Sequence, residues 1–321
     1  MKHTWKITFV LLGMFLITQL IGLAVVYSYT YIPEIPYGMQ PPEEIDPISG
    51  LISTVIAFVF AILIVLLLNK YRAKLVLRAW FFIVMLLALG ITFYSILFYF
   101  QTIRAYASLI ALAIAVPLAY FKIFKQNLIV HNLTELLIYP GIGAVFVSFF
   151  FYSLNPFLSI VAVTGLLILI SVYDIWAVNH SGIMQKMAKF QINELKLFAG
   201  FFIPYMDKKQ KDKIKEIKQK YKKKELDKVL EHKKFKVSLA ILGGGDVIFP
   251  IIAAGIFMKT FQSTPFTFLS IVPALFVTAG ATLALLYLFT VARKGKFYPA
   301  MPFLTGGIFI GMILGWIFTL I

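Results

Sequence analysis

The amino-acid sequence predicts an all-α fold, a polytopic membrane bundle, and three observations carry that expectation. Of 321 residues, 60% are hydrophobic and 14% are charged, against about 25% charged in a typical soluble domain. The apolar residues gather into runs of the roughly 20 residues that cross a hydrocarbon core. The charges gather between those runs. Since backbone polar groups find no water in lipid, each run is expected to be a helix.

Taken in order, nine spans are expected at about 5–27, 48–68, 79–101, 105–121, 133–154, 157–178, 237–258, 264–291 and 299–321. The first exceeds a signal-peptide apolar core and lacks a small-x-small cleavage site, so it reads as an uncleaved span. Lys2, Lys6, Lys70, Arg72, Lys74, Lys122, Lys125, the lysines from Lys208 to Lys236, Arg293, Lys294 and Lys296 all fall on one side of a nine-span arrangement. The positive-inside rule makes that side cytoplasmic. The loop after the first span carries Glu34, Glu43, Glu44 and Asp46 with no Lys or Arg, as expected outside. The N-terminus is thus expected inside and the C-terminus outside. The net charge of +16 is distributed for a membrane surface, and no nucleic-acid partner is expected.

Three regions follow: residues 1–178 with spans one to six, a loop at 179–236, and residues 237–321 with spans seven to nine. Within the loop, residues 206–236 are polar and Lys-rich, suited to anionic lipid headgroups. Residues 180–205 are apolar but interrupted by Lys186, Lys189, Glu194, Lys196 and Pro204. That stretch is expected to be interfacial, or a mobile segment over a site.

Deep inside the spans the sequence places only two charged side chains, Asp174 in span six and Asp246 in span seven. Such carboxylates are costly in lipid and mark function. Both sit in the cytoplasmic half of consecutive spans, where they can meet. Gly243, Gly244 and Gly245 directly precede Asp246, weakening the helix and permitting close backbone approach. Two close carboxyls share a proton between them. One can then take a proton from water while the other polarises a scissile carbonyl.

Other hydrolytic chemistries lack their parts. The chain has no cysteine and no His-Glu-x-x-His, so no metal and no cofactor is expected. There is no Gly-x-Ser-x-Gly elbow. The competing class is a cation channel or proton-coupled transporter using the same aspartates. That class often shows internal repeats, and nothing in spans one to five mirrors the two carboxylates.

Tyr173-Asp174, Gly243-Gly244-Gly245-Asp246 and Pro299-Ala300-Met301 together resemble the three motifs of the presenilin and signal peptide peptidase family of intramembrane aspartyl proteases. Met301 stands where that family has leucine. A literal Pro273-Ala274-Leu275 lies inside span eight, away from the family position. The resemblance implies catalysis by Asp174 and Asp246, with Tyr173, the three glycines and residues 299–301 shaping the site or holding substrate. It implies substrates that are transmembrane helices of other proteins or remnant signal peptides. The basic loops and lack of a large extramembrane domain fit a compact microbial member, expected in the plasma membrane. Gly307, Gly311 and Gly315 repeat every four residues and are expected to let span nine pack closely on a neighbour.

Overall fold

The structure, a computed structural model, describes residues 5–32, 34–39, 49, 52, 53, 56, 60, 64, 74–125, 127–181, 199–205, 238–261, 268–292 and 298–320. The chain is mostly helical. In chain order the elements are α1 (Trp5–Ser28), α2 (Lys74–Leu97), a 3-10 segment (Gln101–Tyr106) leading into α3 (Ala107–Tyr120), and a π turn (Phe121–Lys125). Helices α4 (Leu128–Ser153) and α5 (Pro156–Trp176) follow, then strands β1 (Gly200–Tyr205) and β2 (Ser238–Gly243). The chain closes with α6 (Gly244–Thr260), α7 (Val272–Val291) and α8 (Met301–Thr319). Among the described residues, seven helical segments are long and apolar enough to cross a membrane. The expected span 48–68 and the Lys-rich stretch 206–236 lie outside the described residues.

Local chemistry sets several helix starts. Asn127 caps α4, its side-chain Oδ1 accepting from the Ile129 and Val130 amides at 2.9 and 3.3 Å. Asn155 caps α5 by accepting from the Leu158 amide at 2.8 Å, and Pro156 takes the first helical position, where its missing N–H costs nothing. The span expected at 105–121 is longer than the sequence suggests, running as a continuous helical segment from Gln101 to Lys125.

Helix α6 is the centre of the bundle. Every residue from Pro250 to Met258 is buried, enclosed by α1, α4, α5, α7 and α8. Glycines on its neighbours make room. A Cβ at Gly22 of α1 would lie 2.7 Å from Ile251 Cγ2, and one at Gly143 of α4 would lie 2.6 Å from the same methyl. Ile251 therefore fills a socket formed by two missing side chains. In lipid, where burial of apolar surface gives little drive between helices, such close packing is the main source of association.

The expected glycine stripe on the last helix does what its spacing suggests. Cβ atoms at Gly307 and Gly311 would run into the Gly280 and Phe276 carbonyls of α7, and one at Gly315 would lie 2.7 Å from the Pro273 carbonyl. Helices α7 and α8 touch backbone to backbone along this seam.

Two features depart from an all-α reading. Residues 238–243, expected as the start of span seven, form a strand, and the helix begins only at Gly244. Residues 200–205, expected as interfacial, form its antiparallel partner, with Phe201 opposite Leu242 and Ile203 opposite Ala240. The other edge of β1 is held by α4. Asn132 donates from Nδ2 to the Phe202 carbonyl at 2.7 Å and accepts from the Phe202 amide at 2.9 Å. His131 Nε2 lies 2.8 Å from the Gly200 carbonyl. One carboxamide thus imitates a neighbouring strand.

Candidate active site

Both candidate carboxylates sit at helix ends where backbone amides are free to be used. Asp174 lies in the last turn of α5 and is 6% exposed. Its Oδ2 accepts from the Met301 amide at 3.0 Å, and the Ala300 amide also bonds it. Met301 is the first residue of α8, and the Ala300 side chain provides no cap. The first amides of a helix have no intrahelical partner. An acid from another helix is thus held at the positive end of α8.

Asp246 is the third residue of α6, after Gly243 at the cap position. Its carboxyl reaches back to the Gly243 amide, the acidic half of a capping box. A Cβ at 243 would lie 3.3 Å from Asp246 Oδ2 and press on the carboxyl, so glycine eases this approach. The Gly244 amide is met by the Ala199 carbonyl at 3.0 Å, tying the strand-to-helix junction to the start of β1. Gln19 of α1 donates to the Val247 carbonyl at 2.9 Å. Helices α5 and α6 pack against one another, and Asp174 is the charge that Asp246 senses across them.

The register between α5 and α8 is fixed one turn away from Asp174. Ser171 and Thr305 share a hydrogen bond of 2.8 Å, both buried. Of the two Pro-Ala segments, residues 299–301 are the ones beside an aspartate. Pro273 packs against Gly315, fourteen residues further along α8 than Met301, or about 21 Å of helix.

Tyr173 is not brought to the pair. It is 54% exposed on the outside of α5, 6.2 Å from the Trp176 ring, because adjacent helix positions point in different directions. Asp174 and Asp246 are also not the only charged side chains held within the helices. Lys122, 3% exposed, and Glu135, 1% exposed, form a buried ion pair. His131 Nε2 lies 3.7 Å from the same Glu135 oxygen. Lys259 is buried at the far end of α6, 5.3 Å from the Phe151 ring. Near the candidate pair, Tyr139 is fully buried, with its ring edge-on to Phe201 at 5.8 Å. Nothing local in the sequence marks Tyr139 or Glu135, except that they lie four residues apart on one helix face.

No cluster of three or more His, Cys, Asp or Glu able to hold a metal occurs among the described residues. The arrangement is two carboxylates, each anchored by backbone amides, where three membrane helices and a two-stranded sheet converge. Fold and composition together define a mostly helical, multi-pass membrane protein. Residues 12–321 match the family model described as signal-peptide peptidase, presenilin aspartyl protease, and the chain belongs to that family of proteases. Two solved structures, of a presenilin family intramembrane aspartate protease in C222 and in P2 crystals, are similar in fold. The first is 18% identical with a TM-score of 0.56, over 97% of this chain and 98% of that one. The second is 20% identical with a TM-score of 0.56, over 96% of each. No curated protein matches.

Proposed function

We propose that this chain is an intramembrane aspartyl endopeptidase in which Asp174 and Asp246 share one proton. The observation that carries this reading is the pair itself, brought within electrostatic reach from α5 and α6. The ionised carboxyl takes a proton from water, and the resulting hydroxide attacks the scissile carbonyl carbon. The protonated carboxyl donates to the carbonyl oxygen, giving a gem-diol. Collapse breaks the C–N bond, the amine leaves with a proton, and the pair returns to one proton. The Ala300 and Met301 amides and the cap at Gly243 keep the two carboxyls in place, so little reorganisation is needed during reaction.

The substrates in this reading are transmembrane helices of other proteins or remnant signal peptides. A helix hides its peptide bonds, so a cleavable segment must first unwind. Strand β2 offers the unwound segment a template. With the Phe202 amide and carbonyl both occupied by Asn132, β1 faces β2 through Phe201, Ile203 and Tyr205, and β2 faces β1 through Leu242, Ala240 and Ser238. The backbone groups of Leu239 and Ile241 therefore point to the free edge, in line with Asp246. An extended substrate strand added there gains backbone hydrogen bonds and runs toward the carboxyl pair.

The same reading has nine spans in all, with the N-terminus in the cytoplasm and the C-terminus outside, in the plasma membrane of a microbe. Spans one to six carry Asp174, spans seven to nine carry Asp246, and the stretch 179–236 joins them on the cytoplasmic side. The aspartates then lie just below the cytoplasmic surface.

The test is cleavage of a single-span substrate in liposomes by the intact protein and by Asp174→Ala and Asp246→Ala. Each substitution is expected to abolish cleavage while leaving the protein folded. Cleavage that survives either one removes the two-aspartate mechanism, and ion flux through the same liposomes becomes the measurement.

A further inference from the structure

The Tyr139 hydroxyl is fully buried, with the Glu135 carboxylate as its hydrogen-bonding neighbour and no close partner on α6. A buried hydroxyl needs its hydrogen-bonding capacity met, and Glu135 leaves its capacity toward α6 unused. It lies against the start of α6, 2.7 Å from where a Cβ of Gly244 would be, two residues before Asp246. It interacts electrostatically both with Asp246 and with Glu135, one helical turn earlier on α4. Glu135 in turn is paired with Lys122. The ring is held edge-on by Phe201 of β1, so the hydroxyl is aimed by packing on two sides.

Resting on the reading of Asp174 and Asp246 as the catalytic pair, we propose that Tyr139 is a positioning residue for Asp246. Its hydroxyl, by a hydrogen bond made directly or through one water, fixes the Asp246 carboxyl and links it to the buried Lys122–Glu135 pair. Gly244 leaves the hydroxyl this approach, which gives the middle glycine of the motif a role separate from that of Gly243. Among the described residues, the titratable groups around the pair come from few elements. Asp174 faces it from α5, Glu135 and His131 stand on α4, and Lys122 belongs to the turn before α4. Gln19 of α1 is uncharged, α7 and α8 carry no Asp, Glu, Lys, Arg or His, and Lys6 is the one charge of α1, at its start. A change in the pH dependence of cleavage on altering Tyr139 therefore reports on this short chain of groups.

Tyr139→Phe keeps the ring against Phe201 and deletes only the hydroxyl. Losing the hydroxyl's contact with Glu135 is expected to lower the thermal midpoint by about a few degrees at most. Cleavage of a single-span substrate in liposomes is expected to lose about tenfold in kcat, the scale of one hydrogen bond to a charged group. KM is expected to hold, and at least one limb of the pH–rate profile to move. A stable variant with the kcat and profile of the intact protein overturns the proposal. So does a loss confined to KM, or a loss of kcat with an unmoved profile, since a merely structural ring would give those. Should Tyr139→Phe fail to fold, 3-fluorotyrosine at position 139 alters the acidity of the hydroxyl without removing it, and an unmoved profile then overturns the proposal. If Asp246→Ala in the same assay still cleaves, the two-aspartate reading has failed rather than the role of Tyr139.

Discussion

The hold of Asn132 on β1 gives the most direct energetic expectation. Its carboxamide makes two hydrogen bonds to one residue, at 2.7 and 2.9 Å to the carbonyl and amide of Phe202. Asn132→Leu is similar in size, keeps the helix propensity of α4, and removes both bonds. Each is worth about 1 kcal/mol net, more where the orphaned group stays dry, so strand opening should become easier by about 2 kcal/mol. At 1.4 kcal/mol per tenfold, the open fraction of β1 rises about thirtyfold. Hydrogen exchange by mass spectrometry, in detergent at fixed pH, reads this from peptides covering residues 199–205 and 238–243. Exchange at Phe202 should accelerate by that factor, and the amides of β2 facing β1 should follow to a smaller degree. A helical peptide within α7 serves as the internal standard and should not change. If Phe202 exchanges as slowly in Asn132→Leu as in the parent protein, α4 does not hold the strand and the argument for its occupied edge fails.

Three other outcomes are expected. Cleavage as a function of pH should be bell-shaped, lost on the acid side when both carboxyls hold protons and on the alkaline side when neither does; a flat profile from acidic to neutral pH would count against a shared proton. Lys122→Met alone strands Glu135 in a dry site and should cost about 3–5 kcal/mol in a denaturation series, whereas Lys122→Met with Glu135→Leu should recover most of it; equal losses would mean the pair is not buried as a unit. Gly143→Val adds a side chain 2.6 Å from Ile251 Cγ2 at its first carbon and should destabilise by about 1–3 kcal/mol, measured by thermal unfolding, with partial rescue by Ile251→Ala.

Where the sequence was readable, the signal was local and chemical. Asp174 and Asp246 stand out because a carboxylate in an apolar run has no bland explanation. Pro299 and the stripe from Gly307 to Gly315 likewise carry their geometry in residue type and spacing. The two strands were not readable in this way. Ser238-Leu239-Ala240-Ile241-Leu242 is a short apolar run that continues into an apolar helix, and such runs have no periodicity that separates strand from helix. The residues paired with β2 lie 33 to 43 positions earlier in the chain, so the pairing is a tertiary fact. The Lys122–Glu135 pair was hidden for the opposite reason. A charge lowers hydropathy, so the apolar runs read from sequence stop at 121 and restart at 133, which leaves both charges at their edges. In the structure the helices run through those residues and neutralise the two charges against each other. Tyr173 shows the limit of motif reading, since its motif neighbour Asp174 turns inward while Tyr173 faces out.

The α7–α8 seam ties the site to its surroundings mechanically. With backbone touching backbone at Gly280, Gly307, Gly311 and Gly315, neither helix has large knobs to ride over, and the two turn together as a stiff lever. The Met301 amide that grips Asp174 sits on the tip of that lever, at the end of a 19-residue helix about 28 Å long. One degree of tilt moves the tip by about 0.5 Å, the tolerance within which a reactive constellation has to be held. Bilayers of different thickness impose tilts of several degrees on a helix of fixed length. A bilayer that tilted this lever by one degree would thus shift the grip on one aspartate by that tolerance.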